Sequence, residues 1–520
     1  MNTVVKYFTA TMVTLYAILS FHAFWVNFTN GWWHKFTEIL PWSIAVLVVS
    51  ITYFYLLFNA KEDFRVHYIA IGFIFFTFIC RFIWISYFDA QQVSDFREYW
   101  RVGQLIAVNG FSEDTFSQAY ELVNVTHFLD TYITRSVFYT LPIQYLFGNS
   151  QKALELVNIS LVTLAMILYY EYGKKLLTVK IAAGSLLFFF WNPDIWYGVT
   201  LASPDIAFLP FFMGLCLIVN YLGNNLYKSD ILRIPFILLS LAIGIFIFII
   251  DIQRGFGSPI WFALVLMIGY FILSDHNKSF ITSEGGLRHF LKKKGIQRSI
   301  IIYLILFLLL PFGAYQLSKT TLFSFINLNS GTNYITYFAS KDVLGASSYG
   351  EMRPWRQDYS VQLPEEIKRS YSLNKLFHEI FSDPLETTNY LFRKNEVLAN
   401  PTGTLWFSSQ PAEDPWVGQT NTENIAMQRS LMILITALLF LLIFIRLLFY
   451  KCFTVPRNMY FLIFFTAFFY LFILMFLESQ PRYNVFSVFL ISLLASQLIF
   501  SLEKWMFRKT IKKTVDFVQR

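Results

Sequence analysis

Long apolar runs recur along almost the whole chain and limit what it can fold into. About twelve of them approach the roughly 20 residues that a helix needs to cross the hydrocarbon core of a bilayer. They lie near 7–27, 41–59, 67–87, 153–172, 181–199, 205–222, 232–250, 258–274, 299–317, 430–449, 459–477 and 485–502. Only 14% of the 520 residues are charged, against about 25% in an average soluble domain. The sequence therefore predicts an all-α polytopic membrane protein and excludes a soluble multidomain enzyme, a disordered chain and a disulfide scaffold.

Lysine and arginine concentrate in alternate short loops, which predicts the orientation of the chain in the membrane. The basic clusters fall on the cytoplasmic side if the N-terminus does: Lys61 and Arg65, Lys174–Lys180, Arg288–Arg298 and Lys504–Lys513. No clear small-residue cleavage site follows 7–27, so we interpret this run as the first span. We expect a multi-pass plasma-membrane protein with both termini in the cytoplasm.

One apolar segment, 133–148, does not fit this alternation. It contains Arg135 and Pro142, and counting it as a span would place Lys174 and Lys175 outside. We therefore interpret it as an interfacial or re-entrant helix on the outer face.

Two polar segments are predicted on the outer side. The segment 88–136 indicates two amphipathic helices, and near-helical spacing in the first connects Phe96, Tyr99, Trp100, Leu105 and Ile106 before Asn109-Gly110 ends it. The segment 318–428 is long enough for a small extracytoplasmic domain. We accordingly divide the chain into a transmembrane module at 1–317, the outer domain at 318–428, and C-terminal helices with a basic tail at 429–520.

Ionisable residues in or beside membrane spans are candidates for function because they are costly there. The predicted topology places a set of them at the outer edge: Asp89, Asp95, Asp205, Asp251, Arg254, Glu478, Arg482 and, beside them, Tyr483. A carboxylate can act as a general base towards a hydroxyl, and an arginine can hold a phosphate through paired hydrogen bonds. This mixture is typical of a site for a lipid-linked phosphate.

Several of these residues also have a purely structural interpretation. Asp95 could cap the amphipathic helix that follows it. The remaining alternatives are local ion pairs, which join Glu98 to Arg101, Arg254 to Asp251, and Arg482 to Glu478. Arg81, inside the third run, could extend towards the outer surface or pair with an acid.

Metal and nucleotide sites are not indicated. The seven histidines are scattered, with no pair at i and i+4, and no glycine-rich phosphate loop is present. We therefore expect no metal, no other cofactor, and no binding of nucleic acid or nucleotide sugars.

Four motifs together resemble the GT-C superfamily of integral-membrane glycosyltransferases. They are Ser94-Asp95-Phe96-Arg97-Glu98-Tyr99-Trp100 running on to Asn109-Gly110, then Leu146-Phe147-Gly148, then Trp191-Asn192-Pro193-Asp194 followed by Ser203-Pro204-Asp205, and finally Gln480-Pro481-Arg482-Tyr483. The sequence looks most like the protein-mannosyltransferase-like and lipid-A-aminosugar-transferase-like branch.

The resemblance implies transfer of a sugar, with inversion, from a polyprenyl-phosphate carrier to an extracytoplasmic glycan, lipid or protein. It implies Asp95 as the base, with Asp89 next, and Arg254 and Arg482 as contacts of the carrier phosphate. The further candidates for substrate contact are Glu98, Tyr99, Arg135, Asp205, Glu478 and Tyr483. Many relatives instead have two adjacent acidic residues after the first span, whereas here Phe96 follows Asp95 and the acidic loop follows the third run.

Two other functions also suit a chain with about twelve spans. A transporter or flippase is expected to have similar halves and polar groups at the membrane midplane. Here the polar groups lie at one edge, and the two outer segments differ. A lipid-linked polysaccharide polymerase or ligase would share the lipid-linked substrates and the large outer loops. Such enzymes usually have a basic, histidine-containing outer loop, whereas 318–428 has mixed charge and the single histidine His378, which argues mildly against this function.

Overall fold

The computed structural model describes residues 36–87, 92, 94–122, 129–190, 192–225, 234–275, 301–325, 385, 459–476, 489–490, 492–501 and 503. All the regular structure in these ranges is helical, as the sequence predicts. The predicted spans at 7–27 and 430–449 and nearly all of 318–428 lie outside the described residues.

The helices fall into three groups along the chain. The first contains α1 (Phe36–Asn59), α2 (Asp63–Tyr87), α3 (Ser94–Asn109), α4 (Glu113–Leu122), α5 (Leu129–Phe138) and α6 (Thr140–Phe147). The second contains α7 (Gln151–Leu176), α8 (Val179–Phe190), α9 (Pro193–Gly198), α10 (Pro204–Ala207), α11 (Leu209–Asn225), α12 (Ile234–Arg254) and α13 (Gly257–Asp275). The third contains the π-helical segment Ile305–Leu309, which continues into α14 (Leu310–Phe325), then α15 (Tyr460–Phe476) and α16 (Ser492–Ser501).

Five of these helical stretches are long and apolar enough to cross a membrane. They are Asp63–Ser86, Gln151–Leu176, Pro204–Asn225, Ile234–Arg254 and Ile301–Leu322, and five shorter apolar helices accompany them. In the bundle α7 packs against α2, α8 and α11, and α12 packs against α14. The chain is a multi-pass membrane protein. Its full span count and its orientation remain predictions.

The outer segment after α2 has the predicted helix–turn–helix form. Helix α3 ends at Asn109, and Gly110 adopts a φ of +73° while its N–H donates to the Ile106 carbonyl at 2.8 Å. This left-handed residue ends the helix in the way that glycine favours. The apolar segment 133–148 forms the end of α5 and all of α6, and each of these helices is far too short to span a membrane.

The apolar run at 181–199 is broken, whereas the sequence predicted one continuous span. Helix α8 ends at Phe190 and α9 begins at Pro193. Proline lacks an N–H and disfavours helical geometry in the residue before it, so the helix stops ahead of it. The Trp196 indole donates to the Phe190 carbonyl at 2.5 Å and so satisfies a carbonyl at the broken end.

The π-helical segment before α14 is followed by a proline. In a π-helix the residue at i+5 donates to the carbonyl of residue i, and Leu310 does so to Ile305. The next donor in this pattern would be residue 311, at i+5 from Leu306, but Pro311 has no N–H to donate to the Leu306 carbonyl. The Ser240 hydroxyl on α12 takes its place and donates to the Leu306 carbonyl at 2.5 Å.

We expect Ser240→Ala to lower the unfolding free energy by about 1–3 kcal/mol, because it removes the hydrogen bond from the hydroxyl to the buried Leu306 carbonyl. Thermal denaturation in detergent micelles measures the effect. Ser160→Ala is the matched control: its hydroxyl donates to the Leu156 carbonyl of its own helix at an exposed position. Equal effects of the two substitutions would contradict the assignment.

Candidate functional site

Helices α3, α5 and α6 pack together in the segment that the sequence predicts to lie outside, and we call them the outer shelf. Their shared core contains Phe96, Tyr99, Trp100, Ile106, Ile133, Tyr139 and Ile143. Of the five apolar positions predicted for α3, four are buried and Leu105 is partly buried. Leu201, Ala202 and Ala207 enter the same core. The chain around Asp205 therefore packs directly against the outer shelf.

Polar bonds fix the separation of α3 from α5 and α6. The Tyr99 carbonyl accepts from Ser136 Oγ at 2.9 Å and from Thr140 Oγ1 at 2.8 Å, and Gln144 Nε2 donates to the Trp100 carbonyl at 2.8 Å. Gly103 lies at the closest approach, where an added Cβ would come within 2.3 Å of Thr140 Oγ1. The outer shelf therefore needs glycine at 103.

We expect Gly103→Ala to destabilise the outer shelf, because Thr140 Oγ1 is held by its hydrogen bond and cannot move aside freely. The cost is about 1–3 kcal/mol, the range for overpacking. Gly72→Ala is the control, since nothing lies within 4 Å of a Cβ at that helical position. Limited proteolysis of the outer segment compares the two variants, and equal cleavage rates would contradict this packing.

The proposed base, Asp95, is the second residue of α3, since the helix begins at Ser94. It therefore lies in the first turn of the helix. The positive end of the helix dipole favours a carboxylate there. Glu98, one turn further along α3, pairs with Arg97 Nε at 3.0 Å and not with Arg101, the partner that sequence spacing suggests.

Tyr99 and Arg135, two of the predicted substrate contacts, lie together. Arg135 Nη1 donates to the Tyr99 hydroxyl, and the guanidinium carbon lies 5.5 Å from the centre of the Tyr99 ring. This pair connects α3 to α5 and places a cation on the outer shelf.

Asp205 and Arg254, two further predicted contacts, form a buried ion pair. Arg254 Nε donates to Asp205 Oδ1 and Nη2 donates to Oδ2, with 5% and 9% of the two side chains exposed. Ser203 Oγ adds a bond to Oδ2 at 3.2 Å. This two-bond geometry is the one that suits a guanidinium to a carboxylate or a phosphate.

Asp251, which the sequence offered as the ion partner of Arg254, has a different role. Its carboxylate accepts from the Gly257 N–H at 2.7 Å and from the Tyr315 hydroxyl at 2.6 Å. The intervening Gly255 has a φ of +68°, which reverses the chain between α12 and α13. Asp251 thus fixes the turn that carries Arg254.

The non-helical stretch 199–203, between α9 and α10, is held by side-chain amides that sequence reasoning missed. Gln92 and Gln151 both donate to the Thr200 carbonyl, at 3.0 and 2.8 Å. Asn158 donates to the carbonyls of Val199 and Leu201 at 3.0 and 2.9 Å. The available signal was Asn158 itself, a polar residue within an apolar run.

Tyr139, between α5 and α6, joins this network by donating to Asn158 Oδ1. Burial raises the pKa of the Tyr139 phenol above its ordinary value; the bond to Asn158 opposes this, and the nearby Asp205 carboxylate adds to it. The phenol therefore stays protonated and remains a donor. The outer shelf, the 199–203 stretch and Asp205 are thus adjacent.

Arg81 is fully buried inside α2, so it does not extend towards the surface. Its Nη1 contacts Thr77 Oγ1 and Met166 Sδ, both at 3.4 Å, and its guanidinium carbon lies 5.5 Å from the Phe190 ring centre and 5.3 Å from that of Trp196. No carboxylate in the described part of the chain pairs with it. Its charge is balanced chiefly by aromatic faces.

Four predicted site residues, Asp89, Glu478, Arg482 and Tyr483, lie outside the described residues. The structure describes the backbone of Asp95. In the described ranges, no group of three His, Cys, Asp or Glu side chains is placed to hold a metal ion.

Comparison with solved structures finds the crystal structure of ArnT from Cupriavidus metallidurans bound to undecaprenyl phosphate. It is 11% identical to this chain, with a TM-score of 0.32, and the alignment covers 82% of this chain and 78% of that one. No family model and no curated protein matches the sequence.

Proposed function

We propose that the protein is an inverting glycosyltransferase that moves a sugar from a polyprenyl-phosphate donor to an extracytoplasmic acceptor. The observation that supports this most is the buried Arg254–Asp205 pair, which packs through the 199–203 stretch against the outer shelf. The outer shelf begins with the acidic turn at Asp95. A site of this composition can hold a phosphate leaving group and deprotonate an acceptor. The motif resemblance to GT-C enzymes points to the same chemistry.

The donor phosphate is proposed to meet Arg254. Asp205 holds the guanidinium in place and Asp251 holds the turn beneath it, so the cation is positioned before any ligand arrives. Charge-assisted bonds from such a cation stabilise the negative charge that grows on the leaving phosphate. Arg482 is proposed as the second cation.

The acceptor hydroxyl is proposed to lose its proton to Asp95, with Asp89 as the alternative base. The acceptor oxygen forms a bond to the anomeric carbon as the bond from that carbon to the phosphate oxygen breaks. The electron pair of the broken bond leaves with the polyprenyl phosphate, and the anomeric configuration inverts. We propose Glu98, Tyr99, Arg135, Glu478 and Tyr483 as contacts of the sugar or acceptor, and 318–428 as the outer domain over which the acceptor enters.

Transfer from a panel of labelled polyprenyl-phosphate sugars to extracted envelope glycans, lipids and proteins tests the proposal. We expect one donor to release polyprenyl phosphate and to label an acceptor in the inverted configuration. Absence of transfer with every donor, from protein that remains folded, would contradict it. Movement of intact lipid-linked sugar across sealed vesicles would then favour a flippase, and growth of a lipid-linked polymer would favour a polymerase or ligase.

A further inference from the structure

Four backbone groups of the stretch 199–203 are hydrogen-bonded to side chains from other elements. Three successive carbonyls, at Val199, Thr200 and Leu201, accept from glutamine or asparagine amides, and the Ala202 N–H donates to the amide oxygen of Gln92. Backbone that is neither helix nor strand needs such partners when it is buried. This stretch is therefore held rigidly without regular structure.

Gln92 makes three of the contacts in this network. Its Nε2 donates to the Thr200 carbonyl at 3.0 Å and to Gln151 Oε1 at 3.0 Å, and its Oε1 accepts from the Ala202 N–H at 2.7 Å. A neutral amide suits this position because it donates and accepts at once, which a carboxylate cannot do.

The place of Gln92 in the chain connects two parts of the proposed site. It lies between Asp89 and Asp95 in sequence, and the backbone that it binds leads through Ser203 to Asp205 and hence to Arg254. One side chain thus joins the segment that carries the proposed base to the segment that carries the proposed phosphate contact.

We infer that Gln92 is a positioning residue that sets the distance between the base at the start of α3 and the Arg254–Asp205 pair. This inference rests on the proposed glycosyl transfer. A displacement of about 1 Å between reacting groups can slow an enzymatic step by roughly 100-fold. Because Gln92 acts on the relative placement of two groups, its loss affects the chemical step more than donor binding.

The first test is steady-state kinetics of Gln92→Ala and of the similarly sized Gln92→Glu. We expect kcat to fall by about 10- to 100-fold in both, with the KM for the donor nearly unchanged. Gln118→Ala is the control, since Gln118 is an exposed amide of the same outer segment that bonds to Asp114 at 3.1 Å. Full activity of Gln92→Glu would show that donation to Thr200 is irrelevant and would overturn the inference.

The second test is hydrogen exchange of the 199–203 backbone in the full-length protein, which does not depend on activity. We expect Gln92→Ala to speed exchange of the Ala202 N–H and Gln118→Ala to leave it unchanged. Unchanged exchange in Gln92→Ala would show that the hydrogen bonds from Gln92 to the 199–203 backbone, which we call the tether, do not hold that backbone in place. Faster exchange with an unaltered kcat would overturn its positioning role. If wild type transfers no sugar while Gln92→Ala still exchanges faster, the proposed function fails and the tether stands as a structural bond alone.

Discussion

Asp205→Ala is expected to lower the unfolding free energy by about 3–5 kcal/mol, the typical cost of removing one partner from a buried ion pair. The Asp205 carboxylate accepts hydrogen bonds from Nε and Nη2 of Arg254, and both side chains are almost fully buried. The alanine variant leaves the guanidinium charge buried without the Asp205 carboxylate to compensate it. Arg254→Ala should cost a comparable amount, because it strands the carboxylate.

The double variant Asp205→Leu with Arg254→Met separates stability from chemistry. Replacing a buried ion pair with apolar residues of similar size is often neutral or stabilising, so we expect it to unfold near the wild-type midpoint. It should nevertheless transfer no sugar, because the proposed phosphate contact is gone. Denaturation and transfer measured on the same preparations check both expectations.

An exposed ion pair provides the control. Glu62 pairs with Arg65 at 3.4 Å with more than half of each side chain exposed. Glu62→Ala should cost at most about 1 kcal/mol. An effect of Asp205→Ala as small as that of Glu62→Ala would show that burial of the Arg254–Asp205 pair has been overstated.

Asp95→Asn is expected to lower kcat by about 100- to 10,000-fold, the usual contribution of a general base. Asparagine keeps the size and the position in the first turn of α3 but cannot accept the acceptor proton. The interaction of a first-turn carboxylate with the helix dipole is modest, so loss of the charge should have a small effect on stability. Transfer assays at equal folded yield measure the effect.

Two further variants make this prediction specific. Asp114→Asn changes another acidic first-turn residue, on α4, and should leave kcat unchanged. Asp89→Asn tests the alternative base. If Asp95→Asn is as active as wild type and Asp89→Asn is not, Asp89 becomes the base and Asp95 stabilises its helix.

The sequence predicted the helices well because apolar runs of membrane length and near-helical spacing are local properties of the chain. The end of α3 at Asn109-Gly110 is one example. The break ahead of Pro193 was also encoded locally, yet the surrounding apolar residues masked it. Proline outweighed hydropathy there because a missing N–H cannot be replaced by greater burial.

Partner choice was the least predictable feature of the site. Proximity in sequence favoured Asp251 as the ion partner of Arg254. In the structure, however, the Asp251 carboxylate accepts from the Gly257 N–H at the start of α13, and the partner of Arg254 is Asp205, from another span. The amide network was missed for the same reason, since Gln92 and Thr200 are adjacent only after folding. The predicted contacts at 478–483 stay predictions.

The burial of Arg81 has a consequence for how the protein is made. An arginine at the centre of a span raises the cost of membrane insertion by about 2.5–3.5 kcal/mol, and Arg81, six residues from the end of α2, adds a smaller cost of the same kind. The rings that face it, Phe190 and Trp196, are encoded more than a hundred residues later. At roughly 5–20 residues per second, α2 must wait on the order of 5–20 s for them. During that interval the insertion machinery has to shelter the charge, so release of α2 into lipid is expected to depend on synthesis of α8 and α9.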